Sequence, residues 1–379
     1  MSALVRRVHW ISWHPTPYND CLFEALARNS LIDLLVHYIK PTLTSHPWKS
    51  TFAITYHARI FRLLGGVDWH LQSLVFRNPE AYFLVSGWNH PTNQVLLTLL
   101  RLFNRSYGIW TDTPDIHRRR HPLKARLRAL WLHWIFSGAA HILGTGKPAI
   151  EALKQMGAPP ARLVNFPFYL DLAAYKPAEK PPLYQADRPL RFVSSGRLQN
   201  NVKGHDIAIR ALALTFGQAE APFEYCIAGT GPDEEDLKTL AKQLKLENVV
   251  KFLGWMEPGE LLALYREADV LIHPSPIHDP FPNAILEGMA TGLVVLASDV
   301  SGSALDRIEH GENGFLHPAG DVYTLSNHIL LLLHDPQRIS VIGKRARATA
   351  ELWPVHRAVS TVQNMIFKNA VSGMEHYSS

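Results

Sequence analysis

The segment VLIHPSPIHDPFPNAILEGMATGLVVLAS, residues 270–298, decides the fold class of this chain. Its two apolar runs, 270–275 and 293–298, have the length and the Val, Ile and Leu content of buried strands. The stretch 281–292 between them has the pattern of a helix. Strands that are joined through a helix lie parallel in one sheet, so the segment predicts an α/β fold.

The same alternation of strand and helix continues on both sides of this segment. In the C-terminal half, the further predicted elements are strands at 191–196, 223–229 and 249–254 and helices at 205–217, 233–245, 258–269 and 321–335. In the N-terminal half, they are strands at 8–13, 31–39, 81–87 and 107–112 and helices at 18–30 and 91–103. The pattern predicts two facing, doubly wound, Rossmann-like domains with a cleft between them and ligands at the carboxyl ends of the strands.

A proline-rich break separates the two alternating stretches. Residues 170–189, LDLAAYKPAEKPPLYQADRP, contain four prolines and no sustained hydrophobic period. Proline fixes φ and removes a backbone donor, so this stretch has the composition of a linker. We therefore predict a first domain at 1–172, a linker at 173–189 and a second domain at 190–354.

The composition is that of an ordinary globular protein. Of 379 residues, 47% are hydrophobic and 19% are charged, which excludes a disordered chain. Cys21 and Cys226 form neither a disulfide framework nor a zinc motif, so we expect a reducing, cytoplasmic compartment. The N-terminus lacks a signal-peptide pattern, and the longest apolar run, 131–143, is too short to span a membrane.

Charge is distributed unevenly along the chain. Residues 1–180 carry a net charge of +11 and residues 181–379 a net charge of −6. A basic half favours an anionic partner near the first domain. The alternative is that one half of any basic protein is more basic than the other.

Two cations follow a glycine at the first strand-to-helix loop of the second half. The predicted strand ends at Gly196, and Arg197 and Lys203 follow within one loop. Glycine permits close approach of the backbone to a ligand, while Arg and Lys suit a multiply charged oxyanion such as a diphosphate. The alternative is a solvated surface loop.

Two other loops at the same predicted sheet edge carry weaker signals. The GTGP loop, 229–232, begins like a dinucleotide-binding fingerprint, but the third glycine is missing. Residues 233–236 are all acidic and would repel a phosphate, so a tight packing turn is the favoured interpretation of this loop by itself. The SDVSGS loop, 298–303, could add amide donors and is uninformative by itself.

The loop IHDPFPNAILE, residues 277–287, contains two carboxylates separated by seven residues. Asp279 precedes the predicted helix, and Glu287 lies about a turn and a half into it. Carboxylates accept hydrogen bonds from sugar hydroxyls, and the amides of a helix N-terminus hold phosphate oxygens. The alternatives are that Asp279 is merely an acid at the helix N-terminus and that Glu287 is a surface residue. The small and apolar neighbours of Glu287 argue against a solvated position.

The order and spacing of these pieces resemble the glycogen-synthase-like, group 1 retaining glycosyltransferases, which have the GT-B fold. The resemblance covers residues 190–320. The matching pieces are GRL and KG within 196–204, GTGP at 229–232, NVVKFLGWM at 248–256, LYREADVLIHPS at 264–275, HDPFPNAILEGMATGLVVLASDVSG at 278–302 and GENGFL at 311–316. The tail at 353–367 also resembles the last helix of the family, so residues 355–379 would cross back to the first domain.

The resemblance implies a retaining glycosyltransferase of polysaccharide or glycolipid assembly. The donor would be a UDP- or GDP-linked sugar, held by the second domain, and the acceptor a carbohydrate or lipid-linked hydroxyl, held by the first. No metal and no further cofactor would be needed, because two cations neutralise the leaving diphosphate. The alternatives are a nucleotide-sugar epimerase and a non-catalytic partner protein of the same fold.

The resemblance also assigns roles to individual residues. Arg197 and Lys203 would stabilise the departing diphosphate, and Asp279 would contact the transferred sugar. Glu287 would hold the ribose hydroxyls of the donor. The remaining donor-binding residues that the resemblance implies are Gly196, Gly229, Gly231, Trp255, Met256, His278, Phe281, Pro282, Asn283, Ala284 and Ser303.

The chain departs from the family pattern at two places. The family has Glu, seven residues and then Glu, whereas the first position here is Asp279, whose shorter side chain bears on the identity of the donor sugar. The glycine-rich loop that usually follows the first strand is replaced by HPTPYND, residues 14–20. The acceptor chemistry of the family therefore does not transfer to the first domain.

The first domain offers weaker candidates. His90 and Asp112 follow predicted strands, so we predict them as catalytic groups that face the donor, with local capping as the alternative. Residues 117–134 mix Arg and Lys with Leu and Trp, as in a helix that lies peripherally on the anionic inner face of a membrane. The alternative is an internal helix that packs Trp131 and Trp134. No motif indicates nucleic-acid binding.

Overall fold

The structure is a computed structural model that describes five stretches of the chain. These stretches are residues 5–41, 54–116, 121–178, 188–218 and 222–374. The chain divides into two compact units: the first comprises Met1–Tyr169 and Val355–Ser379, and the second comprises Leu170–Pro354. Both units are α/β, as the alternation in the sequence predicts.

The first unit contains a parallel sheet. Its strands within the described residues are β1 (Arg6–Ser12), β2 (Ile32–Tyr38), β3 (Ala58–Ile60), β4 (Tyr82–Ser86), β5 (Tyr107–Thr111), β6 (His141–Gly144) and β7 (Leu163–Asn165). They pair in the order β3-β2-β1-β4-β5-β6-β7, and every pair is parallel. The order changes direction between β1 and β4, so this unit is doubly wound.

Helices pack on this sheet and bury one continuous apolar cluster. Among the residues that the structure describes, the α-helices of this part of the chain are α1 (Pro17–Ala27), α2 (Trp69–Arg77), α3 (Pro91–Leu102), α4 (Pro122–Gly138) and α5 (Lys147–Gln155). The cluster combines Val85 and Ile109 of the strands with Leu97 of α3 and Phe136 of α4. Burial of such side chains stabilises the unit by about 1.5–3 kcal/mol each.

The HPTPYND segment, which stands in place of a glycine-rich loop, begins α1. Thr16 caps this helix, because its Oγ1 accepts a hydrogen bond from the amide of Asn19 at 3.2 Å. Pro17 occupies the first helical turn, where its missing N–H is not needed. The segment therefore forms a capped helix start.

The second unit contains another parallel, doubly wound sheet. Its strands within the described residues are β8 (Leu190–Ser195), β9 (Phe223–Ala228), β10 (Val250–Gly254), β11 (Val270–His273), β12 (Val294–Ser298) and β13 (Phe315–His317). They pair in the order β10-β9-β8-β11-β12-β13, and every pair is parallel. The order changes direction between β8 and β11.

Both faces of the second sheet are covered by helices. These helices are α6 (Asn200–Lys203), α7 (His205–Thr215), α8 (Glu234–Gln243), α9 (Pro258–Glu267), α10 (Asn283–Ala290), α11 (Gly302–Arg307), α12 (Val322–His334) and α13 (Gln337–Ala350). Successive strand residues point to opposite faces, so Phe192 and Leu296 join one core while Val193 and Val295 join the other. Burial on both faces explains why these strands are continuous apolar runs.

The last helix, α14 (Val355–Met374), returns to the first unit. It contacts α1, and the guanidinium of Arg6 donates a hydrogen bond to the carbonyl of Ile366 at 2.7 Å. The first unit is therefore completed by residues from both ends of the chain.

The predicted fold class is confirmed, and the quoted segment forms β11, α10 and β12. The described part of the predicted linker, 173–178, belongs to the second unit instead of connecting freely. Arg266 and Arg347 fix it there through hydrogen bonds to the carbonyls of Ala174 and Tyr175 at 2.8 and 2.6 Å. Residues 179–187 lie outside the described residues.

Candidate functional site

The site begins where β8 and β11, neighbouring strands at the change of direction of the second sheet, reach their carboxyl ends. Lys203 ends the short helix α6 that follows β8, and the loop after β11 carries Asp279. The ammonium of Lys203 donates a hydrogen bond to Oδ2 of Asp279 at 2.5 Å. Two residues that the sequence placed in separate motifs thus meet at the point where α/β sheets bind ligands.

Backbone packing brings these two loops together. Gly204 follows Lys203 with a φ of +68°, in the left-handed region that favours glycine. A Cβ at this position would lie 2.2 Å from the carbonyl oxygen of Pro274. Only glycine allows this approach, and it sets the side chain of Lys203 next to the loop that contains Asp279.

Asp279 is held by three side chains through one of its oxygens. Besides Lys203, Nε2 of His273 lies 3.1 Å from Oδ2, and the hydroxyl of Ser275 donates to the same oxygen at 3.4 Å. Burial by itself would raise the pKa of Asp279, but the bond to His273 and the charge of Lys203 lower it well below its usual range. Asp279 is therefore a fixed carboxylate across the physiological pH range.

Sequence reasoning missed the histidines beneath this carboxylate. His273 ends β11 and His205 begins α7, and both are buried. Burial lowers the pKa of His205 to about 3 and also lowers that of His273, so both are neutral imidazoles near neutral pH. His273 lies six residues before Asp279, and the only signal in the sequence was a polar residue inside an apolar strand.

The GTGP loop packs against the loop that carries Arg197. Gly229 has a φ of +141°, and a Cβ there would lie 1.9 Å from the carbonyl oxygen of Gly196. A Cβ at Gly231 would lie 2.2 Å from the carbonyl oxygen of Leu198. These glycines form the tight packing turn, which leaves the exposed Arg197 at the sheet edge. Direct donor contacts of Gly196, Gly229 and Gly231 stay predictions.

Glu287 is buried in α10 and bonded to two tyrosines. Tyr175 donates to Oε1 at 3.2 Å, and Tyr265 donates to Oε2 at 3.3 Å while lying 2.5 Å from the hydroxyl of Ser195. Burial raises the pKa of Glu287 from 4.5 to about 7, although both tyrosine hydrogen bonds act in the opposite direction. Glu287 is therefore no solvated surface residue, and the tyrosines that hold it went unnoticed in the sequence.

The N-terminus of α10 presents backbone amides beside Asp279. Pro282 precedes the helix, and Asn283 and Ala284, both partly exposed, form its first turn. The first amides of a helix have no partner within it and carry partial positive charge. Phe281 is buried just ahead of them, with the guanidinium of Arg307 at 4.5 Å from its ring centre.

The other residues that are predicted to contact the donor differ in their exposure and in their hydrogen bonds. Ser303 is fully buried, and its hydroxyl accepts a hydrogen bond from Arg307 at 2.5 Å, so its side chain supports the site from within. Trp255 is exposed directly after β10, and Met256 is partly buried. His278 is exposed, with Nδ1 at 3.2 Å from the carbonyl oxygen of Val300. Contact of these residues with a donor stays a prediction.

The candidates of the first unit lie at the carboxyl ends of β4 and β5. His90 caps α3, because its Nδ1 accepts a hydrogen bond from the amide of Thr92 at 3.2 Å. Burial, followed by the charge of Lys40, lowers the pKa of His90. Asp112 is exposed after β5. Capping by His90 is thus observed, and the catalytic roles of His90 and Asp112 stay predictions.

The basic segment at 117–134 forms the first part of α4 from Pro122 onward, and residues 117–120 lie outside the described residues. Trp131 and Trp134 pack against the core, as the internal alternative requires. Three leucines of the same helix remain largely exposed, namely Leu123 at 61%, Leu127 at 59% and Leu130 at 62%. The helix therefore combines a packed face with an exposed apolar one.

Two absences hold for the part of the chain that the structure describes. There, no group of three or more His, Cys, Asp or Glu side chains has an arrangement that could hold a metal ion. Among the same residues, none of the helices has the length and apolarity to cross a membrane.

Comparison with known proteins shows that the second unit is similar to a family of glycosyltransferases. Residues 176–349 match the family model described as glycosyl transferases group 1. The amylovoran biosynthesis glycosyltransferase AmsK of Erwinia amylovora is 35% identical over 169 residues, which are 43% of this chain and 41% of AmsK. The D-inositol 3-phosphate glycosyltransferase of Corynebacterium aurimucosum is 28% identical over 82% of this chain and 70% of its own. The chain spans only 41–49% of the length of AmsK and two other bacterial relatives.

Comparison with solved structures extends the likeness to nearly the whole chain. HepE of Anabaena, solved in complex with UDP, matches with a TM-score of 0.75 and 19% identity over 96% of this chain and 100% of HepE. At this identity the likeness concerns the fold alone. It agrees with the two Rossmann-like units that the sequence predicted, and the predicted facing arrangement with a cleft stays a prediction.

Proposed function

Because residues 176–349 belong to the group 1 glycosyltransferases, we propose that this protein transfers a sugar from a nucleotide diphosphate sugar to an acceptor hydroxyl. The observation that carries the proposal is the meeting of Lys203 and Asp279 at the carboxyl edge of the second sheet, beside Arg197 and the N-terminus of α10. A diphosphate needs several cationic or amide donors, and a sugar needs carboxylate acceptors. Both kinds of group stand at this edge.

The donor diphosphate would be bound by Arg197, Lys203 and the amides of Asn283 and Ala284. Arg197 is exposed and offers a planar fork, while Lys203 is a point charge already oriented by Asp279. The helix amides add partial positive charge on the same edge. This set favours a dianionic leaving group over a neutral one.

The sugar and nucleoside would contact the carboxylates and the loop after β10. Oδ2 of Asp279 is occupied by Lys203, His273 and Ser275, so its other oxygen, Oδ1, would accept a hydroxyl of the transferred sugar. Glu287 would hold ribose hydroxyls, and Trp255 would lie near the base. We propose UDP or GDP as the carrier, and the UDP complex of HepE makes uridine the first to test.

During transfer, the bond between the anomeric carbon and the diphosphate breaks while the acceptor oxygen bonds to that carbon. Negative charge grows on the leaving diphosphate, where Arg197 and Lys203 would stabilise it electrostatically. We propose that these two cations do so without a metal ion. We also propose that the product retains the anomeric configuration of the donor, as the resemblance to the retaining family implies.

The test is donor turnover by the purified protein with UDP- and GDP-linked hexoses. We expect release of the nucleotide diphosphate and a product with the donor's anomeric configuration by NMR, both unchanged by EDTA. Arg197→Ala should lower turnover about 100-fold, whereas Arg210→Ala, an exposed arginine on α7, should leave it unchanged. A product that is only an epimer of the free nucleotide sugar would overturn transfer in favour of epimerisation, and no turnover with any donor would indicate a non-catalytic protein.

The leucine face of α4 supports a peripheral contact with an anionic membrane. Leu123, Leu127 and Leu130 lie at spacings of four and three residues and therefore share one side of the helix, flanked by Lys124 and Arg126. Exposed leucines between cations are the pattern of a helix that lies in a lipid interface. Such contact would keep a cytoplasmic protein at the inner membrane face, where a lipid-linked acceptor would be presented.

Sedimentation with vesicles tests this contact. We expect the protein to bind vesicles that contain phosphatidylglycerol and not those of phosphatidylcholine alone. Changing all three leucines to Ser should abolish binding, while Leu352→Ser, an equally exposed leucine of the second unit, should have no effect. Equal loss in both variants would contradict a role for the leucine face.

A further inference from the structure

A cavity of about 720 Å³ opens between α3 and α4 in the first unit. Its lining includes Trp88, Asn89, Val95, Lys124, Arg128 and Trp131. Trp88 and Asn89 directly follow β4, so the cavity lies at the carboxyl edge of the first sheet. This is the edge at which doubly wound sheets bind ligands.

The cavity has a positive and amphipathic lining. Lys124 and Arg128 supply two cations, and none of the lining residues that the structure describes is acidic. The guanidinium of Arg128 lies 5.8 Å from the ring centre of Trp88, which orients it over an apolar surface. Trp131 is fixed by a hydrogen bond from its indole N–H to the hydroxyl of Thr98 at 3.1 Å. The chemistry suits an anionic group attached to an apolar one.

The cavity and the exposed leucine face are adjacent on the same helix. Lys124 follows Leu123 and Arg128 follows Leu127, and each successive residue turns by about 100° around the helix axis. The cations therefore point into the cavity from the turns of α4 whose leucines are exposed. A ligand whose anionic group occupies the cavity can extend an apolar chain over the leucine face.

We propose that this cavity binds the phosphate groups of a lipid-linked acceptor, a sugar diphosphate carried on an apolar chain. Lys124 and Arg128 bind the phosphates, Trp88 and Val95 contact the first carbons of the chain, and the chain leaves over Leu127. The proposal rests on the proposed function, because it names the class of acceptor for that transfer. It adds a site in the first unit that is built from other residues than the donor site.

The first test uses farnesyl diphosphate as a soluble probe in titration calorimetry with the full chain. Farnesol, which lacks the anion, and inorganic diphosphate, which lacks the chain, are the comparison ligands. We expect farnesyl diphosphate to bind at least about tenfold more tightly than either, since both halves of the probe contribute. Equal binding of inorganic diphosphate would overturn the proposal in favour of a simple anion site, and equal binding of farnesol would exclude the role of the cations.

Matched variants locate the bound probe. Lys124→Ala combined with Arg128→Gln should weaken farnesyl diphosphate binding about tenfold or more, because two charge-assisted contacts are lost. Arg126→Ala removes a cation from the same helix that does not line the cavity, and we expect a change below about twofold. Val95→Trp fills the cavity without changing its charge and should also abolish binding. Unchanged affinity in the charge variant and in Val95→Trp would overturn the site, as would an equal loss in Arg126→Ala.

Donor binding measured in the same samples separates this proposal from the proposed function. Saturation with UDP should not displace farnesyl diphosphate, and Arg197→Ala should leave its affinity unchanged. Displacement by UDP would show that the probe binds the donor site and would overturn the cavity assignment. If UDP binds and the probe does not, the inference about the acceptor fails and the proposed transfer stands; if the probe binds and no nucleotide does, the proposed donor site fails.

Discussion

The carboxyl edges of the two sheets use their polar side chains differently. At the edge of the second sheet, Lys203 at the end of α6 and His273 at the end of β11 both bond to Asp279, which lies in the loop after β11. At the edge of the first sheet, His90 bonds to the amide of Thr92 in its own helix. The Lys203–Asp279 pair joins two separate segments and is thereby oriented for a ligand. The imidazole of His90, in contrast, already serves as the cap of its own helix. This difference supports the proposed donor site at the second edge and is consistent with the proposed acceptor site in the first unit.

Removal of Lys203 should produce the largest effect. Lys203→Ala takes away one of two cations proposed for the leaving diphosphate and leaves Asp279 buried without its ion-pair partner. We expect turnover to fall about 10²–10³-fold and the free energy of unfolding to fall by roughly 3 kcal/mol. Lys238→Ala breaks only exposed pairs on α8 and should change neither quantity measurably. Equal changes in turnover and in the free energy of unfolding for the two variants would contradict the proposed difference between the two sheet edges.

The next largest effect is expected at the close backbone contact between Gly229 and Gly196, which supports the loop of Arg197. Gly229→Ala places a Cβ 1.9 Å from the carbonyl oxygen of Gly196 and strains a φ of +141°. We expect a loss of roughly 3 kcal/mol or more in the free energy of unfolding by chemical denaturation. Gly217→Ala strains a φ of +94° in open space and should cost about 1 kcal/mol, so the difference measures the close approach. Equal costs would mean that the two loops do not approach as described.

Glu287 makes the second unit sensitive to pH. Because its folded-state pKa of about 7 lies above the usual 4.5, Glu287 favours the folded protein fully below pH 4.5 and loses that contribution as the pH rises through 7. Glu287→Gln should therefore gain stability relative to the parent by up to about 3 kcal/mol at pH 8 and little at pH 4. Chemical denaturation curves at pH 4 and pH 8 check the direction of this change in stability. Glu235→Gln, at an exposed glutamate, is the control. A gain confined to low pH would contradict the raised pKa.

The cap at the first edge gives the smallest effect. His90→Ala removes the acceptor for the amide of Thr92 and should cost about 1 kcal/mol of stability. His90→Asn keeps a capping side chain while removing the imidazole, so its stability should match the parent. Turnover of the Asn variant then decides the role, since retained turnover confines His90 to the cap. A large loss in His90→Asn would place a catalytic group at the first edge and break the comparison.

The sequence predicts the parts of this molecule that have strong periodicity. In the second sheet, β9, β11 and β12 are wholly buried and β8 is mostly buried, so their hydrophobic content predicts them. The sequence also predicts β10, an edge strand that is only partly buried. Short elements such as β3 and β7, three residues each, carry too few residues to show any period. In the described part of the predicted linker, proline content does not reveal that Arg266 and Arg347 bond to the backbone.

The candidate site was predictable only where a family motif carried it. Arg197, Lys203 and Asp279 are predicted from their motifs, but the bond between Lys203 and Asp279 depends on how the backbone packs at Gly204. His273 and Tyr265, which hold Asp279 and Glu287, lie within the piece LYREADVLIHPS, residues 264–275, but the family resemblance assigns neither of them a role. The cavity between α3 and α4 combines residues up to 43 positions apart in sequence, Trp88 to Trp131, and only a tertiary contact brings them together.

The central claim is that the loops of the second sheet bind a nucleotide diphosphate. Thermal unfolding with UDP, GDP and ADP tests it most directly, since a ligand that binds only the folded state raises the unfolding temperature. We predict that UDP or GDP raises it by roughly 5 °C at saturation, and that Arg197→Ala abolishes the shift without changing the unfolding temperature of the free protein. Absence of a shift with all three nucleotides, or an undiminished shift in Arg197→Ala, would contradict the account.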